Sequence, residues 1–398
     1  MVDIFWLLLQ ITAGYNLILP LLLFLLWKIF SKTDKGVANQ YDIHEIDYAI
    51  VVTAYQETHT LAAVVDSILN SNYSKYLVYI VADNCDISEL KFNDPRVFVL
   101  KPPSTLASNT RSHQYAINNF RREHEYITII DSDNLLHPEY INQLNKVINN
   151  GFIAVQGQRK AKNLDTVLSR LDAIRDIYYH FYDGRILFDL GSSATLSGSG
   201  MAFRTDLYKE FLAEYNVSGA GFDKVLQYFL LRKDLRIAVS EDAIVYDEKT
   251  SKADQLIKQR SRWINTWFKY FKYGFSLVGL GIKNFSINQL LFGITLLRPP
   301  LFIFIILSGL FMIINIWVSI TYFFMFFVAF TLFILSFLIA LYNSKADKIF
   351  YHSLLNIPRF MVLQLVSLVQ SRNANQRSVA TKHYHSEIID KPNGKEKR

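Results

Sequence analysis

The stretch YITIIDSDN, residues 126–134, decides how the rest of this chain is read. Its first five residues, Tyr126 to Ile130, are aromatic, β-branched or both in kind, the composition of a strand inside a sheet. Asp131-Ser132-Asp133 ends the run abruptly. Asp stops strands and starts turns, so each acid alone reads equally as a turn residue. Two carboxylates at i and i+2 also converge on a hard divalent cation, which takes oxygen ligands and shares one or two carboxylates with a substrate's phosphates.

Similar strands lie on both sides. Upstream come YAIVVTAY (48–55), the helical pattern THTLAAVVDSILNS, YLVYIVAD (76–83), closed by Asp83, and RVFVL (96–100). Downstream, the helical PEYINQLNKVINN precedes FIAVQGQ (152–158). Strands alternating with helices predict an α/β domain with a mostly parallel sheet covered on both faces. Ligands of such sheets bind beyond the carboxyl ends of the strands, where Asp83, Asp131 and Asp133 fall.

The chain has 398 residues, 51% of them hydrophobic, and the apolar ones are concentrated in blocks. Residues 4–30 carry no charge before Lys28, which predicts a spanning helix; no basic leader or small-residue cleavage site suggests a signal peptide. Residues 287–342 predict two more crossings, roughly 290–318 and 321–342, with Arg298 and Pro299-Pro300 as a tolerated kink. HSLLNIPRFMVLQLVSLVQ (352–370) carries His352, Asn356, Arg359 and Gln364, which favours an interfacial helix over a fourth span.

Lys28, Lys32 and Lys35 follow the first span, and Lys345, Lys348 and Arg359 follow the last. The positive-inside rule then puts residues 31–286 and the tail in the cytosol. The expected organisation is a transmembrane helix over 1–31, a cytosolic domain over 45–256, an interfacial helix over 257–286, two transmembrane helices over 287–343, and an interfacial helix with a cytosolic tail over 344–398. The net charge of +7 fits a membrane surface, with membrane lipids as partners and no nucleic acid, because basic residues cluster beside apolar segments. The single cysteine, Cys85, excludes an internal disulfide framework.

Three further stretches complete the pattern: LSGSGMAFR (196–204), GFDKVLQYFLLRKDLRIAVSEDAIVYDE (221–248) and QRSRWINTW (259–267), which contains a QxxRW motif. In this order, over residues 48–267, the motifs resemble those of membrane-bound family-2 glycosyltransferases, the group of cellulose and hyaluronan synthases, with ceramide glucosyltransferase as a relative. The resemblance implies a GT-A fold, the nucleotide-diphospho-sugar transferase fold. It also implies a nucleotide-sugar donor, a UDP-sugar by family habit, a divalent cation (Mg²⁺ or Mn²⁺), and a glycan or lipid-linked acceptor. A bacterial cytoplasmic membrane is the expected location.

Carried over by position, Glu57 would lie beside the nucleoside and Asp83 would meet the base. Asp131 would stand near the ribose and phosphates, or share the metal with Asp133. Gln259 and Arg262 would recognise the diphosphate or acceptor, and Trp263 a sugar ring. Gly198 and Gly200 would form an acceptor-side turn. A membrane-surface helix would account for the same Trp and Arg residues.

The family's general base is an Asp after Glu at a helix start, which falls on Asp223. Phe222 stands where Glu is usual, and the basic phosphate-contacting segment is missing from LASNTRSHQ, where Arg111 is the substitute. Asp223 as a helix N-cap and Asp242 as the base are the competing readings. An inverting transfer of one sugar is the first expectation, and a processive synthase exporting its polymer is the alternative. A non-catalytic nucleotide-sugar-binding subunit is a third possibility.

Overall fold

The computed structural model describes residues 2–31 and 44–372, with 374, 385 and 387. Lys32, Lys35 and most of the expected tail lie outside the described residues. A long helix, α1 (Val2–Phe30), comes first. The α/β domain begins with β1 (Tyr48–Tyr55), α2 (Leu61–Leu69), β2 (Tyr76–Asp83), β3 (Val97–Leu100), α3 (Asn109–Asn118) and β4 (Tyr126–Asp131). These four strands are mutually parallel in the order β3-β2-β1-β4. Side chains alternate cleanly between two cores: Ala49 and Val51 enter one, and Tyr48, Ile50 and Val52 the other. Every residue of β2 is buried, as a strand covered on both faces requires.

The second half adds β5 (Leu135–Leu136), α4 (Tyr140–Asn149), β6 (Ala154–Ala161), α5 (Val167–Tyr179), α6 (Leu187–Asp189), β7 (Met201–Arg204), α7 (Thr205–Glu214), α8 (Phe222–Arg232) and β8 (Ala238–Asp247). The sheet has eight strands, β3-β2-β1-β4-β7-β6-β8-β5, with β7 antiparallel to both neighbours. A seven-residue π-helical turn, His180–Ile186, joins α5 to α6. β6 runs on to Ala161, past the expected end at 158, and this extension carries Arg159 alongside β8.

The remaining helices are α9 (Ala253–Tyr270), α10 (Tyr273–Asn284), α11 (Ile287–Leu297), α12 (Leu301–Val318), α13 (Ile320–Asn343), α14 (Lys348–Ser353) and α15 (Ile357–Val369). Leu17, Phe304, Phe311, Phe326 and Phe333 join α1, α12 and α13 in one apolar cluster. Inside it, Trp6 Nε1 donates to Asn315 Oδ1 at 3.1 Å and Asn315 Nδ2 donates to Gln10 Oε1 at 2.6 Å, a polar chain linking α1 to α12. Four segments are long and apolar enough to cross a membrane: Ile4–Phe30, Leu301–Val318, Ile320–Asn343 and Lys348–Val369. The last contains a 3₁₀ turn at Leu354–Asn356, and α15 beyond it lies along α9, with Ser261 Oγ donating to Ser367 O at 2.9 Å.

The expected kink at Arg298-Pro299-Pro300 is instead a break between two helices. Two consecutive prolines remove two backbone donors, and α11 is committed to α10 before the break. Gly274, Gly281 and Gly293 bring these two helices into backbone contact; a Cβ on Gly293 would stand 2.8 Å from Val278 N. Gly293→Val is therefore expected to force the pair apart at a cost of about 1–3 kcal/mol. A lower melting temperature of the detergent-solubilised protein checks this, and an unchanged one contradicts the close packing.

Candidate active site

Register places the expected acids at the carboxyl ends of adjacent strands. Thr53 of β1 pairs with Asp131 of β4, and Tyr55 of β1 with Asp83 of β2. The D-x-D turn is fixed on three sides. Asp131 N donates to Ser199 Oγ at 3.0 Å, Thr60 Oγ1 to Ser132 O at 2.6 Å, and Lys162 Nζ to Asp133 O at 2.7 Å. Desolvation, reinforced by Asp133, Asp247 and Asp223 against Arg159, pushes the Asp131 carboxyl up to about 7.

Asp131 opens onto a cavity of about 530 Å³. Arg159, Gly198 and Asp223 share that end, and Phe302, Ile305, Phe337, Ile357 and Phe360 line the other. Gly198 has φ +90° and open space where a Cβ would be, whereas Gly200 is packed on Val245 outside the cavity wall.

Asp223 is the second residue of α8, and Gly221, with φ +99°, occupies the N-cap. A Cβ on Gly221 would lie 2.6 Å from Thr266 and 2.7 Å from Tyr270, so only glycine lets α8 start this close to α9. Phe222 is buried in the core, its ring 5.3 Å from that of His113, and it also borders the cavity. The Phe that replaces the family's Glu is thus a packing residue. Asp223 keeps a 3.4 Å contact with Lys224. Glu241 and Asp242 stand exposed on β8, outside the cavity.

On α9 the QxxRW residues divide. Trp263 lines the cavity; Gln259 accepts from Thr250 Oγ1 at 3.2 Å, and Gln259 and Arg262 do not line it. Arg260 takes the inward position instead, 4.1 Å from the Trp263 ring centroid, with Arg175 at 4.3 Å. Arg260 pairs with Asp172, and Arg159 and Lys249 pair with Asp247. These basic residues escaped the sequence reading, although Asp172, Arg175 and Asp176 share one face of α5 at i, i+3 and i+4.

Three further expected residues, Glu57, Asp83 and Arg111, also lie outside the cavity lining. Glu57 follows β1, 3.4 Å from His59. Asp83 is 2% exposed and accepts backbone N–H groups from Leu106 at 2.8 Å and Ala107 at 2.7 Å. It thereby pins the loop bordering a separate open recess, lined by Cys85, Asp86 and Lys101. Arg111 is exposed on α3.

The family described as "Glycosyltransferase like family 2" matches residues 44–266, more than half of the chain. The chain belongs to this family and is a glycosyltransferase of GT-A fold. Among solved structures, the mannosyltransferase PcManGT from Pyrobaculum calidifontis, in complex with GDP-Man and Mn²⁺, is 13% identical with a TM-score of 0.58, covering 94% of this chain and 99% of its own. TarS 1–349 of S. aureus, in complex with UDP, is 17% identical with a TM-score of 0.39, covering 54% and 64%. A search of curated proteins returns no match.

A divalent cation fits the D-x-D turn. Asp131 is a carboxylate crowded by other acids, and positive charge there would relieve the crowding. Among the described residues no three His, Cys, Asp or Glu side chains form a complete ligand set, so Asp131 and Asp133 would share the ion with substrate phosphates and water. Since a protonated carboxyl cannot ligate, Mn²⁺ affinity is expected to fall by up to about tenfold per pH unit below about 7 and to level off above. Calorimetric titration with MnCl₂ across that range checks this. A pH-independent affinity would remove Asp131 from the ligand set.

Proposed function

We propose that this enzyme moves one sugar from a nucleoside-diphosphate sugar to a lipid-linked acceptor at the cytosolic membrane face, with inversion and with Asp223 as general base. The carrying observation is the single cavity that joins Asp131 and Asp223 to apolar membrane helices. A GDP-Man and Mn²⁺ complex of a same-fold mannosyltransferase supports a nucleotide-sugar donor and metal assistance.

Of the other carboxylates in the cavity wall, Asp176 is held by Lys249 and Asp183 by Arg298. Asp131 belongs to the cation seat. Asp223 is left to take the proton of the acceptor hydroxyl as that oxygen attacks the anomeric carbon. Direct attack inverts that carbon, and the nucleoside diphosphate departs. A divalent cation at the D-x-D turn would neutralise charge on this leaving group. Arg159 and Arg260 add fixed positive charge, and Trp263 offers an apolar face to a sugar.

Lining favours single transfer over polymer export. A growing glycan needs hydrogen-bonding groups along its exit, and the side chains of Phe302, Ile305, Phe337, Phe360 and Met361 supply none. The cytosolic orientation rests on Lys28, Lys345, Lys348 and Arg359 flanking the spans. Because α15 accompanies α9, which carries Lys258, Arg260, Arg262 and Lys269, we place both on the membrane surface.

Nucleoside diphosphate release from a panel of nucleotide-sugars, with Mn²⁺ and membrane lipid extract, tests the proposal. Asp223→Asn is expected to lose about 10²-fold or more, and Asp242→Asn to stay near wild type. The reverse pattern would move the base to β8.

A further inference from the structure

Arg298 is the last residue before Pro299-Pro300 and the start of α12. It is 5% exposed and forms part of the cavity wall between the α/β domain and the apolar helices. Burying a guanidinium is costly unless its donors are well satisfied. Here the pairing is half complete. Nη2 donates to Asp183 Oδ2, but Arg298 Nη1 and Asp183 Oδ1 are buried with no hydrogen-bond partner among the described residues. Asp183 comes from the π-helical turn, so an irregular segment of backbone supplies the carboxylate that aims this arginine.

The surroundings define what the open N–H can take. Lys224, beside Asp223, also lines the cavity and acts electrostatically on Asp183, so the path from the base to Arg298 carries two cations. Directly beyond Arg298 the wall becomes apolar at Leu301, Phe302 and Ile305. A planar donor fork next to an apolar channel suits a phosphate oxygen whose ester bears a hydrocarbon chain. A neutral lipid alcohol could accept from the N–H but would bring it no negative charge, and a free phosphate would leave the apolar wall unmatched.

We propose that Arg298 recognises the phosphate of a phosphate-bearing lipid acceptor, whose chain lies against Phe302, Ile305 and Phe337 and whose reactive hydroxyl reaches Asp223. The inference rests on the lipid-acceptor reading above and names the acceptor's headgroup class. The phosphate is held and not altered; the bonds made and broken remain those at the anomeric carbon.

Dodecyl phosphate, dodecanol and inorganic phosphate, titrated into the full-length protein in a neutral maltoside detergent, test it. Tryptophan emission is the readout, because Trp263 and Trp267 line the cavity. Dodecyl phosphate is expected to bind about tenfold or more tightly than dodecanol, the gain of a charge-assisted hydrogen bond. That preference should vanish in the double variant Asp183→Asn/Arg298→Gln, which leaves no lone buried charge; its melting temperature is the folding control. Should that variant not fold, Arg298→Lys carries the test, with most of the preference expected to disappear and an unchanged preference overturning the proposal.

Equal binding of dodecyl phosphate and dodecanol, or a preference that survives the double variant, overturns Arg298's role. Inorganic phosphate binding as tightly as dodecyl phosphate overturns the lipid part. Nucleoside diphosphate release by the wild-type protein separates the two readings. Donor turnover without phosphate preference refutes this inference alone. Arg298-dependent binding of dodecyl phosphate without turnover of any donor upholds the phosphate site and sinks the donor and base assignment.

Discussion

Arg159 of β6, Asp247 and Lys249 at the end of β8, Asp172, Arg175 and Asp176 of α5, and Arg260 of α9 meet in one buried ion network beneath the cavity. Each charge has given up most of its hydration, and only the neighbours compensate it. Burial alone would raise Asp176, yet Lys249 and Arg175 hold it well below the usual carboxylate range. Removing one member would strand another charge, which typically costs about 3–5 kcal/mol. The network therefore ties the sheet, the helix leading to the π turn and α9 into one unit. It contains Arg159, Arg175, Arg260 and Lys249 against Asp172, Asp176 and Asp247, an excess of positive charge beside the D-x-D turn. Such an excess suits a site whose ligand is anionic.

Much of this was legible in the chain. The first four strands read directly, because each is a short apolar run ended by Asp or a turn signal. The D-x-D turn fell where the parallel-sheet rule puts ligands. The inward face of α9 was harder: a motif fixes spacing along the chain, but rotation about a helix axis is set by packing. Arg260, Trp263, Ile264 and Trp267 follow i, i+3, i+4, i+7 and face the cavity together, while Gln259 lies about a quarter turn away and Arg262 nearly half a turn. Asp83 shows another limit. Strand-end acids serve either a ligand or the next loop, and the amides of Leu106 and Ala107, more than twenty positions on in the chain, show the latter bond only in three dimensions.

The membrane boundary depended on a similar hidden contact. Apolar length alone joins residues 287–297 to the following span, since Pro299-Pro300 in a membrane helix is compatible with a kink. Glycine spacing decides otherwise. Gly274, Gly281 and Gly293 let α10 and α11 approach to backbone contact, so α11 spends its apolar face on α10. The chain then leaves α11 at Arg298, whose guanidinium turns toward Asp183 in the π-helical turn. A charge left at that position in a continuous span would face hydrocarbon.

Helix α9 links the two ends of the cavity mechanically. Its Thr266 and Tyr270 press on Gly221, where only a missing side chain allows the fit, and Asp223 follows two residues later. One to two turns earlier it carries Trp263 and Arg260, and α15 packs along its length. A shift of α9 would displace the N-terminus of α8, because close-packed backbone transmits strain with little give. Placement of Asp223 thus depends on how α9 sits against α15 and the apolar wall. An acceptor that fills that wall would steady Asp223, the proposed base, which couples occupancy of the apolar end to chemistry at the sheet's edge.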